Sequence, residues 1–453
     1  MVVLHRVLST AVTLCLVVPA AALAASVESR SATPAYLQRG TEVEGSFQAS
    51  RERLQHLYDA LLASLRRDDP ELAAKLVPQL KQAAPKPVPH GYQILPTLVP
   101  DPAPRAAVPP AERPRAKARC YSWPWTKQLI GQQLQKVAAL QVDLERAATR
   151  PRPERDAAYD KLVREYRAAA DWQRTIDAHI HYNRLWQPAI AKDRPGYDRQ
   201  TVLCHAVLER QAIEDALQPG DDGAFRSALR DITLSDVHAP REALEPLLRA
   251  RAQLLAGQIH DASDQITLPA FLQVEHVGDH LWVVTVPIYT DVADRAFVDA
   301  FRNAVERTWQ VRDGENEFRL HVAITTISPA RLYGQQSPPQ AGQPIDLDAH
   351  CARFPKDGAV LTTGADSTHV AAGRCIGVGP HDIAGHVLAH EFGHVLGFRD
   401  VYFRGYRDLG PDGYEVMEVV ADPGDIMGDP GSGPVLPRHF EKLLGKTADR
   451  PPP

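Results

Sequence analysis

The N-terminal half of the chain carries apolar residues at helical spacing. Between residues 41 and 84 they recur mainly at intervals of three and four, as in Leu54, Leu57, Leu61, Leu62 and Leu65. The period continues from Cys120 to about residue 265, with a break at Arg150-Pro151-Arg152-Pro153. Because this spacing gives each helix one apolar face, it predicts a short helical segment at residues 26–83 and an all-α accessory or pro-domain at residues 119–265.

The pattern changes after residue 270. Four segments have the apolar character of strands: Leu281–Tyr289, Phe318–Ser328, Ala359–Thr363 and Thr368–Val378. A helical pattern from Ala296 to Trp309 separates the first two, and Asp291 precedes it as a candidate N-cap. Strand, crossover helix and further strands are typical of an α/β sheet, so residues 270–450 are predicted to form an α/β domain.

A proline-rich stretch lies between the two helical segments. Residues 84–118 contain 10 prolines among 35 residues, and they end in a series of arginines and lysines. Proline removes backbone donors and blocks helix formation. The stretch is therefore predicted to be an extended linker that proteases can reach.

Composition and charge limit the class of protein. Of the 453 residues, 44% are apolar and 24% are charged, which excludes a wholly disordered chain. The formal net charge is −5, and neither sign forms a long block. A nucleic-acid partner is not expected, because such partners select basic patches.

Residues 1–25 resemble a secretory signal peptide. Residues 1–6 contain one lysine or arginine, Arg6, and no acidic residue. A largely apolar run follows from Val7 to Val18, and Ala22-Leu23-Ala24 provides a small-x-small cleavage site. The protein is therefore expected to be secreted or periplasmic. No stable membrane span is expected after cleavage, because no later window is apolar enough.

Because the protein is expected to be exported, its cysteines are expected to form disulfides. Cys120, Cys204, Cys351 and Cys375 remain after signal cleavage, in a compartment where disulfides persist. Three pairings are possible. We favour Cys120 with Cys204 and Cys351 with Cys375, because each half of the chain then holds one bridge. A zinc site made of all four is disfavoured by the absence of a CxxC spacing.

The chemistry is concentrated in the segment His390-Glu391-Phe392-Gly393-His394. On a helix, His390 and His394 lie about 40° apart around the axis and about 6 Å apart along it, so both imidazoles can reach one metal ion. Glu391 lies about 100° from His390, where its carboxylate can act on a water molecule without binding the ion.

Three later residues extend this motif. Gly397 follows His394 by three positions, Asp400 follows it by six, and Met427 lies in the loop Asp425-Ile426-Met427-Gly428. Together they resemble the zinc motif and Met-turn of the metzincin metalloproteases. Aspartate in place of the usual third histidine resembles the aspartate-type members, such as snapalysin and the immune inhibitor A peptidases. The resemblance covers about residues 281–446.

The resemblance implies a metzincin-like catalytic domain: a twisted mixed sheet, a zinc helix, a Met-turn and a C-terminal helix. It implies Zn²⁺ bound by His390, His394 and Asp400, Glu391 as general base and acid, Gly397 as the helix stop and Met427 beneath the metal. The resemblance therefore implies a secreted zinc endopeptidase that acts on proteins or peptides. The substrate would lie extended along the strand Thr368–Val378, as it does in metzincins.

Other interpretations stay open from sequence. Glu418-Val419-Val420-Ala421-Asp422 has the form of the third-ligand motif of gluzincins, so Glu418 rivals Asp400 as a metal ligand. In a different class, the chain could be an envelope binding protein whose protease-like domain is inactive or structural. Residues 26–265 could be an inhibitory propeptide, in which a Cys120 thiolate would bind zinc, or a binding module. His439, in the last predicted helix, is expected at the surface.

Overall fold

A computed structural model describes residues 33–84, 89–101, 117–218, 220, 222–233 and 239–447. The predicted signal peptide lies outside these residues, as does the middle of the predicted linker. In the part that is described, no helix is both long and apolar enough to cross a bilayer.

The chain forms helices and strands in the order expected of an α/β protein. The helices are α1 Thr33–Asp68, α2 Pro70–Gln82, α3 Trp123–Ala148, α4 Arg152–Lys192, α5 Arg194–Ala216, α6 Asp222–Thr233, α7 Arg241–Ser263, α8 Arg295–Thr308, α9 Pro329–Tyr333, α10 Leu347–Cys351, α11 Gly385–Val395 and α12 Pro437–Thr447. The strands are β1 Leu98–Val99, β2 Lys117–Tyr121, β3 Gln273–Val277, β4 Leu281–Thr290, β5 Gln310–Asp313, β6 Asn316–Thr326, β7 Ala359–Thr363, β8 His369–Ala371, β9 Cys375–Val378, β10 Ile383–Ala384, β11 Tyr402–Asp408 and β12 Tyr414–Val420. The prediction of an α/β protein is confirmed.

The chain divides into two compact units. The first, here called the helical unit, comprises the residues up to Pro87, Ala118–Cys204 and Arg404–Glu418. The second, here called the sheet unit, comprises Val88–Lys117, His205–Phe403 and Val419 onward. Contiguous stretches of sequence therefore do not correspond to the units, and the residues from His205 to about 265 group with the sheet unit.

Leucine-rich helix faces build the core of the helical unit. The four leucines of α1 that follow the predicted period, Leu54, Leu57, Leu61 and Leu65, are at most 1% exposed. They pack with α2, α3 and α4 in one apolar cluster. The predicted break between α3 and α4 is present, because α4 begins at Arg152 with proline in its first turn.

A hairpin from far along the chain completes the helical unit. β11 and β12 form a three-stranded sheet with β2, in the order β11-β12-β2. The buried Gln187 amide donates to the Tyr414 carbonyl at 2.6 Å and accepts from the Tyr414 N–H at 2.9 Å. The helical unit therefore contains this sheet as well as its helices, while the described part of residues 119–265 is helical apart from β2.

We expect Gln187→Leu to destabilise the helical unit. The substitution keeps the side-chain volume, but it leaves the buried N–H and carbonyl of Tyr414 without this partner, at a cost of about 1–3 kcal/mol. Urea denaturation followed by circular dichroism measures the loss. The control is Gln48→Leu on α1, where the side chain is exposed and the change should stay within about 0.5 kcal/mol. Equal effects of the two substitutions would contradict the assigned role.

A seven-stranded mixed sheet forms the framework of the sheet unit. The order is β5-β6-β4-β7-β9-β8, with β3 also paired to β4. β4 is parallel to β6 and β7, and β7 is parallel to β9, whereas β3, β5 and β8 are antiparallel to their neighbours. Helix α8 and then strand β5 lie between β4 and β6 in the chain. Its N-cap is Asp294 rather than the predicted Asp291, and Asp291 is buried.

Part of the predicted linker is folded into the sheet unit. Tyr92 is 1% exposed, and its hydroxyl donates to Asp291 at 2.7 Å. β1 pairs in parallel with β10, and Asp101 accepts a hydrogen bond at 2.8 Å from the backbone N–H of His386 in α11. Residues 89–101 are therefore a packed segment, since a proline-rich chain without helix can still add a short strand.

One of the two predicted disulfides is formed. Cys351 and Cys375 are bonded and join α10 to β9. Cys120 and Cys204 carry no disulfide, so the predicted second bridge is not formed. The buried Cys204 thiol instead donates to the carbonyl of Met417, 3.7 Å away. The equal number of cysteines in the two halves of a sequence is a weak guide to disulfide pairing, because it does not show whether the Cα atoms of two cysteines are close enough to be bridged.

Candidate metal centre

Helix α11 carries two of the predicted ligands and stops where the sequence indicates. Gly397 has φ of +97°, and its N–H donates to the carbonyl of His394 at 3.0 Å. The next N–H, that of Phe398, donates to the carbonyl of Gly393 at 3.0 Å. A left-handed residue with these hydrogen bonds ends a helix. The chain is thereby free to turn toward Asp400.

Gly397 is required for a second reason. A Cβ at this position would lie 2.1 Å from the carbonyl oxygen of Thr267. Both the positive φ and the close backbone contact therefore exclude other residues without a local shift.

We expect Gly397→Ala to lower the free energy of unfolding by at least about 1–3 kcal/mol, the range for a strained left-handed residue. Gly131→Ala is the matched control, because Gly131 lies inside α3 with no atom near the added methyl group. That substitution should raise stability by about 0.5–1 kcal/mol. Chemical denaturation of the metal-free protein measures both changes, and a shared sign would refute the helix-stop role.

Three ligand atoms converge after this turn. His390, His394 and Asp400 each offer one such atom, and these atoms lie within 4.8 Å of one another. Asp400 Oδ1 is 3.1 Å from His394 Nε2 and 3.5 Å from His390 Nε2. The three residues therefore form a possible metal-binding triad.

Backbone carbonyls orient both imidazoles. His390 Nδ1 donates to the carbonyl of Ile426 at 2.7 Å, and His394 Nδ1 donates to that of Phe398 at 3.0 Å. A carbonyl oxygen only accepts, so the Nδ1 atom of each ring carries a proton. In a neutral ring the lone pair is then on Nε2, the atom that faces the other ligands. Such bonds commonly fix metal-binding histidines.

The charges of the triad are strongly coupled. Burial, with the nearby His394, lowers the pKa of His390 to about 4. Burial opposes charge on His394 as well, but the hydrogen bond and charge of Asp400 outweigh it, and the pKa of His394 rises to about 9. Burial would raise the pKa of Asp400, yet the two histidines hold it below its usual value. Asp400 is therefore an anion facing two imidazole nitrogens.

The donor set fits a divalent cation. Asp400 Oδ1 is buried, and among the described residues it has no hydrogen-bond donor when both histidine rings are neutral and carry their proton on Nδ1. A buried carboxylate oxygen without a partner is unfavourable unless a cation satisfies it. Two imidazole nitrogens and one carboxylate oxygen are the kind of ligands that zinc accepts.

Met427 packs against the centre of α11. It is 1% exposed, and a Cβ on Gly393 would lie 2.3 Å from its sulfur. The Trp309 indole donates to the carbonyl of Ala389 in the same helix at 2.8 Å. These contacts hold α11 from the side that faces the core.

The remaining candidates lie in different surroundings. Glu391 is half-buried on α11, and its charge is one of those that raise the pKa of His394 against the effect of burial. Glu418 belongs to the helical unit and accepts from Arg404 at 2.8 Å.

His439 is 3% exposed, so its predicted surface position is wrong. Among nearby tyrosines, Tyr402 hydrogen-bonds Asp400, whereas the Tyr406 hydroxyl donates to Asp198 at 2.7 Å.

Two residues that support the site had no signal in the local sequence. Asp101 caps α11 from a position 285 residues earlier in the chain, and Trp309 holds the same helix from the end of α8. Their spacing to the ligands follows no motif, because only the folded chain brings them together. No known family model, curated protein or solved structure matches this chain.

Proposed function

We propose that the protein is an exported zinc-dependent endopeptidase of metzincin type. The observation that carries this proposal is the convergence of His390, His394 and Asp400 within 4.8 Å, with both histidine Nδ1 atoms occupied by backbone carbonyls. Such preorganisation suits a resident metal ion.

The resemblance to metzincins supplies the chemistry. A zinc ion held by the triad would act as a Lewis acid: it would polarise a carbonyl group and lower the pKa of water to about 7. Three protein ligands suit a catalytic role, since structural zinc sites are closed by four.

Glu391 is the proposed general base and acid. Its carboxylate follows His390 directly on α11 and lies close enough to His394 to affect its pKa, although burial has the larger effect. A carboxylate in this position can accept a proton from the attacking water and return it to the nitrogen of the leaving amine.

The sheet offers a surface for an extended peptide. The segment predicted as one strand, Thr368–Val378, forms two antiparallel strands, β8 and β9. β8 is the outermost strand of the order β5-β6-β4-β7-β9-β8, and it pairs with β9 on one side. An edge strand can add another strand through backbone hydrogen bonds, which bind peptides with little dependence on sequence. A protein or peptide substrate is consistent with this arrangement.

Asp400 is preferred over Glu418 as the third ligand. Asp400 lies within the ligand cluster, whereas the Glu418 carboxylate is paired with Arg404. The gluzincin alternative would require Glu418 to leave that pair. An envelope binding protein with an inactive protease-like domain remains the rival from another class.

Mass analysis of an unstructured protein incubated with the purified chain tests the proposal. We expect one zinc per chain and new peptides near neutral pH, and we expect neither cleavage nor bound metal after treatment with a chelator. Zinc without cleavage of any unstructured substrate would favour the binding protein. A chain that holds no zinc would refute the metal centre itself.

A further inference from the structure

A buried polar cluster lies beside the loop that contains Met427. It consists of Asp425, Arg438 and His439. Asp425 and His439 are 2% and 3% exposed, although aspartate is almost never fully buried unless it is paired. The metzincin resemblance gives none of the three a role.

Asp425 is the centre of the cluster. Its Oδ1 accepts from the backbone N–H of Met427 at 2.7 Å and from His439 Nε2 at 3.1 Å, and its Oδ2 accepts from Arg438. Burial would raise the pKa of Asp425, but the hydrogen bond from His439 and the charge of Arg438 outweigh it and hold the pKa well below its usual range. Asp425 is therefore a satisfied, buried anion.

His439 is oriented as strictly as Asp425. Its Nδ1 accepts a hydrogen bond from the N–H of Leu436 at 2.9 Å, so the proton of the ring is on Nε2. Nε2 is the atom that donates to Asp425. The ring also packs edge-on against Phe398 and Trp309, at centroid distances of 5.0 and 5.7 Å. Helix α12 thus presents a rigid donor to the loop.

The loop of residues 425–427 connects Asp425 to the proposed metal ligand His390. Ile426 lies between Asp425 and Met427, and its carbonyl accepts from His390 Nδ1 at 2.7 Å. The Ile426 N–H donates to the Pro434 carbonyl at 3.0 Å. Because the Asp425 side chain holds the N–H of Met427, it fixes the peptide that carries the Ile426 carbonyl. The direction of this carbonyl sets the plane of the His390 ring.

We propose that Asp425 and His439 are positioning residues that orient the ligand His390 through the Ile426 carbonyl. The inference rests on the proposed zinc site, and it extends that site to α12. Neither residue is expected to touch the metal or the substrate.

Zinc affinity of Asp425→Asn, measured by competition with a chelator, tests the inference. The amide has one acceptor oxygen where the carboxylate has two, so it cannot accept from Arg438 and also from the Met427 N–H and His439 Nε2. The hold of residue 425 on the peptide between Ile426 and Met427 is therefore weakened. We expect the dissociation constant for zinc to rise about 10- to 100-fold, as for other outer-shell partners of metal ligands. Asp422→Asn is the matched control: Asp422 also binds Arg438, at 3.0 Å, but its other side-chain bond is to Gly424. It should keep the parental affinity.

A spectroscopic readout separates positioning from general stability. With cobalt in place of zinc, the visible absorption bands should shift in Asp425→Asn and stay unchanged in Asp422→Asn, although both remove one charge near Arg438. His439→Phe should behave like Asp425→Asn. His439→Gln keeps a nitrogen donor for Asp425, and it should restore part of the affinity.

The possible outcomes distinguish this inference from the function on which it rests. If the parental chain binds no zinc, the metal centre is wrong. If the parental chain binds zinc and a folded Asp425→Asn binds it equally well with an unchanged cobalt spectrum, the positioning role is wrong. Should Asp425→Asn fail to fold, the two His439 variants decide, because equal affinities of His439→Phe and the parental chain would overturn the inference.

Discussion

Glu391→Ala is expected to reduce the rate of peptide hydrolysis by about 10²- to 10⁴-fold, the contribution of a positioned general base. Zinc content should stay at the parental level, because the triad of His390, His394 and Asp400 does not include Glu391. Rates on a fluorogenic peptide library, with zinc measured in the same samples, give both quantities.

The control for this prediction is Glu441→Ala. Glu441 is an exposed glutamate on α12, and its loss should leave the rate unchanged. Cleavage by Glu391→Ala at the parental rate would remove Glu391 from the mechanism. Loss of zinc from the same variant would instead identify it as a ligand.

Asp400→Ala is expected to weaken zinc binding by at least about 100-fold, since even outer-shell partners of metal ligands contribute 10- to 100-fold. The substitution removes the only carboxylate oxygen of the described triad and leaves two imidazoles. Metal analysis after dialysis, followed by a chelator titration, measures the loss. The metal-free fold should persist, because 25% of the Asp400 side chain is exposed although its Oδ1 atom is buried.

Glu418→Ala is the comparison that separates the two candidate third ligands. Its carboxylate accepts from Arg404 at 2.8 Å, so the substitution should affect the stability of the helical unit and leave zinc content nearly unchanged. The reverse result, with zinc lost from Glu418→Ala and retained by Asp400→Ala, would move the site to the gluzincin type.

Local sequence was sufficient where the determinants of structure are close together. His390 and His394 share a helix face because α-helical geometry repeats every 3.6 residues. Gly397 ends that helix because glycine alone adopts positive φ without a penalty, and its φ is +97°. The leucine period of α1 and the apolar run of β4 likewise predicted their elements, since burial of one face or of both follows from the pattern.

Local sequence was insufficient where partners are distant. Residues 404–418 join the helical unit although they directly follow residues of the sheet unit. Residues 89–101 looked like linker, yet Tyr92 and Asp101 are tied to Asp291 and to α11. Backbone pairing and helix capping between segments far apart in sequence leave no periodic signal, because either partner alone resembles an ordinary loop or edge strand.

The candidate ligands follow from local sequence, whereas the groups that orient them are determined by tertiary structure. The amino-acid order establishes the residue types of the candidate metal site. It also establishes their spacing on α11 and the turn after it, because both depend on dihedral preferences within about ten residues. Tertiary packing determines that the carbonyls of Ile426 and Phe398 orient the imidazoles, and that His439 is buried against Asp425 rather than exposed. It also leaves Cys120 and Cys204 outside any disulfide. These outcomes depend on which surfaces pack together in the folded chain. A local sequence pattern does not show which distant segments will come into contact.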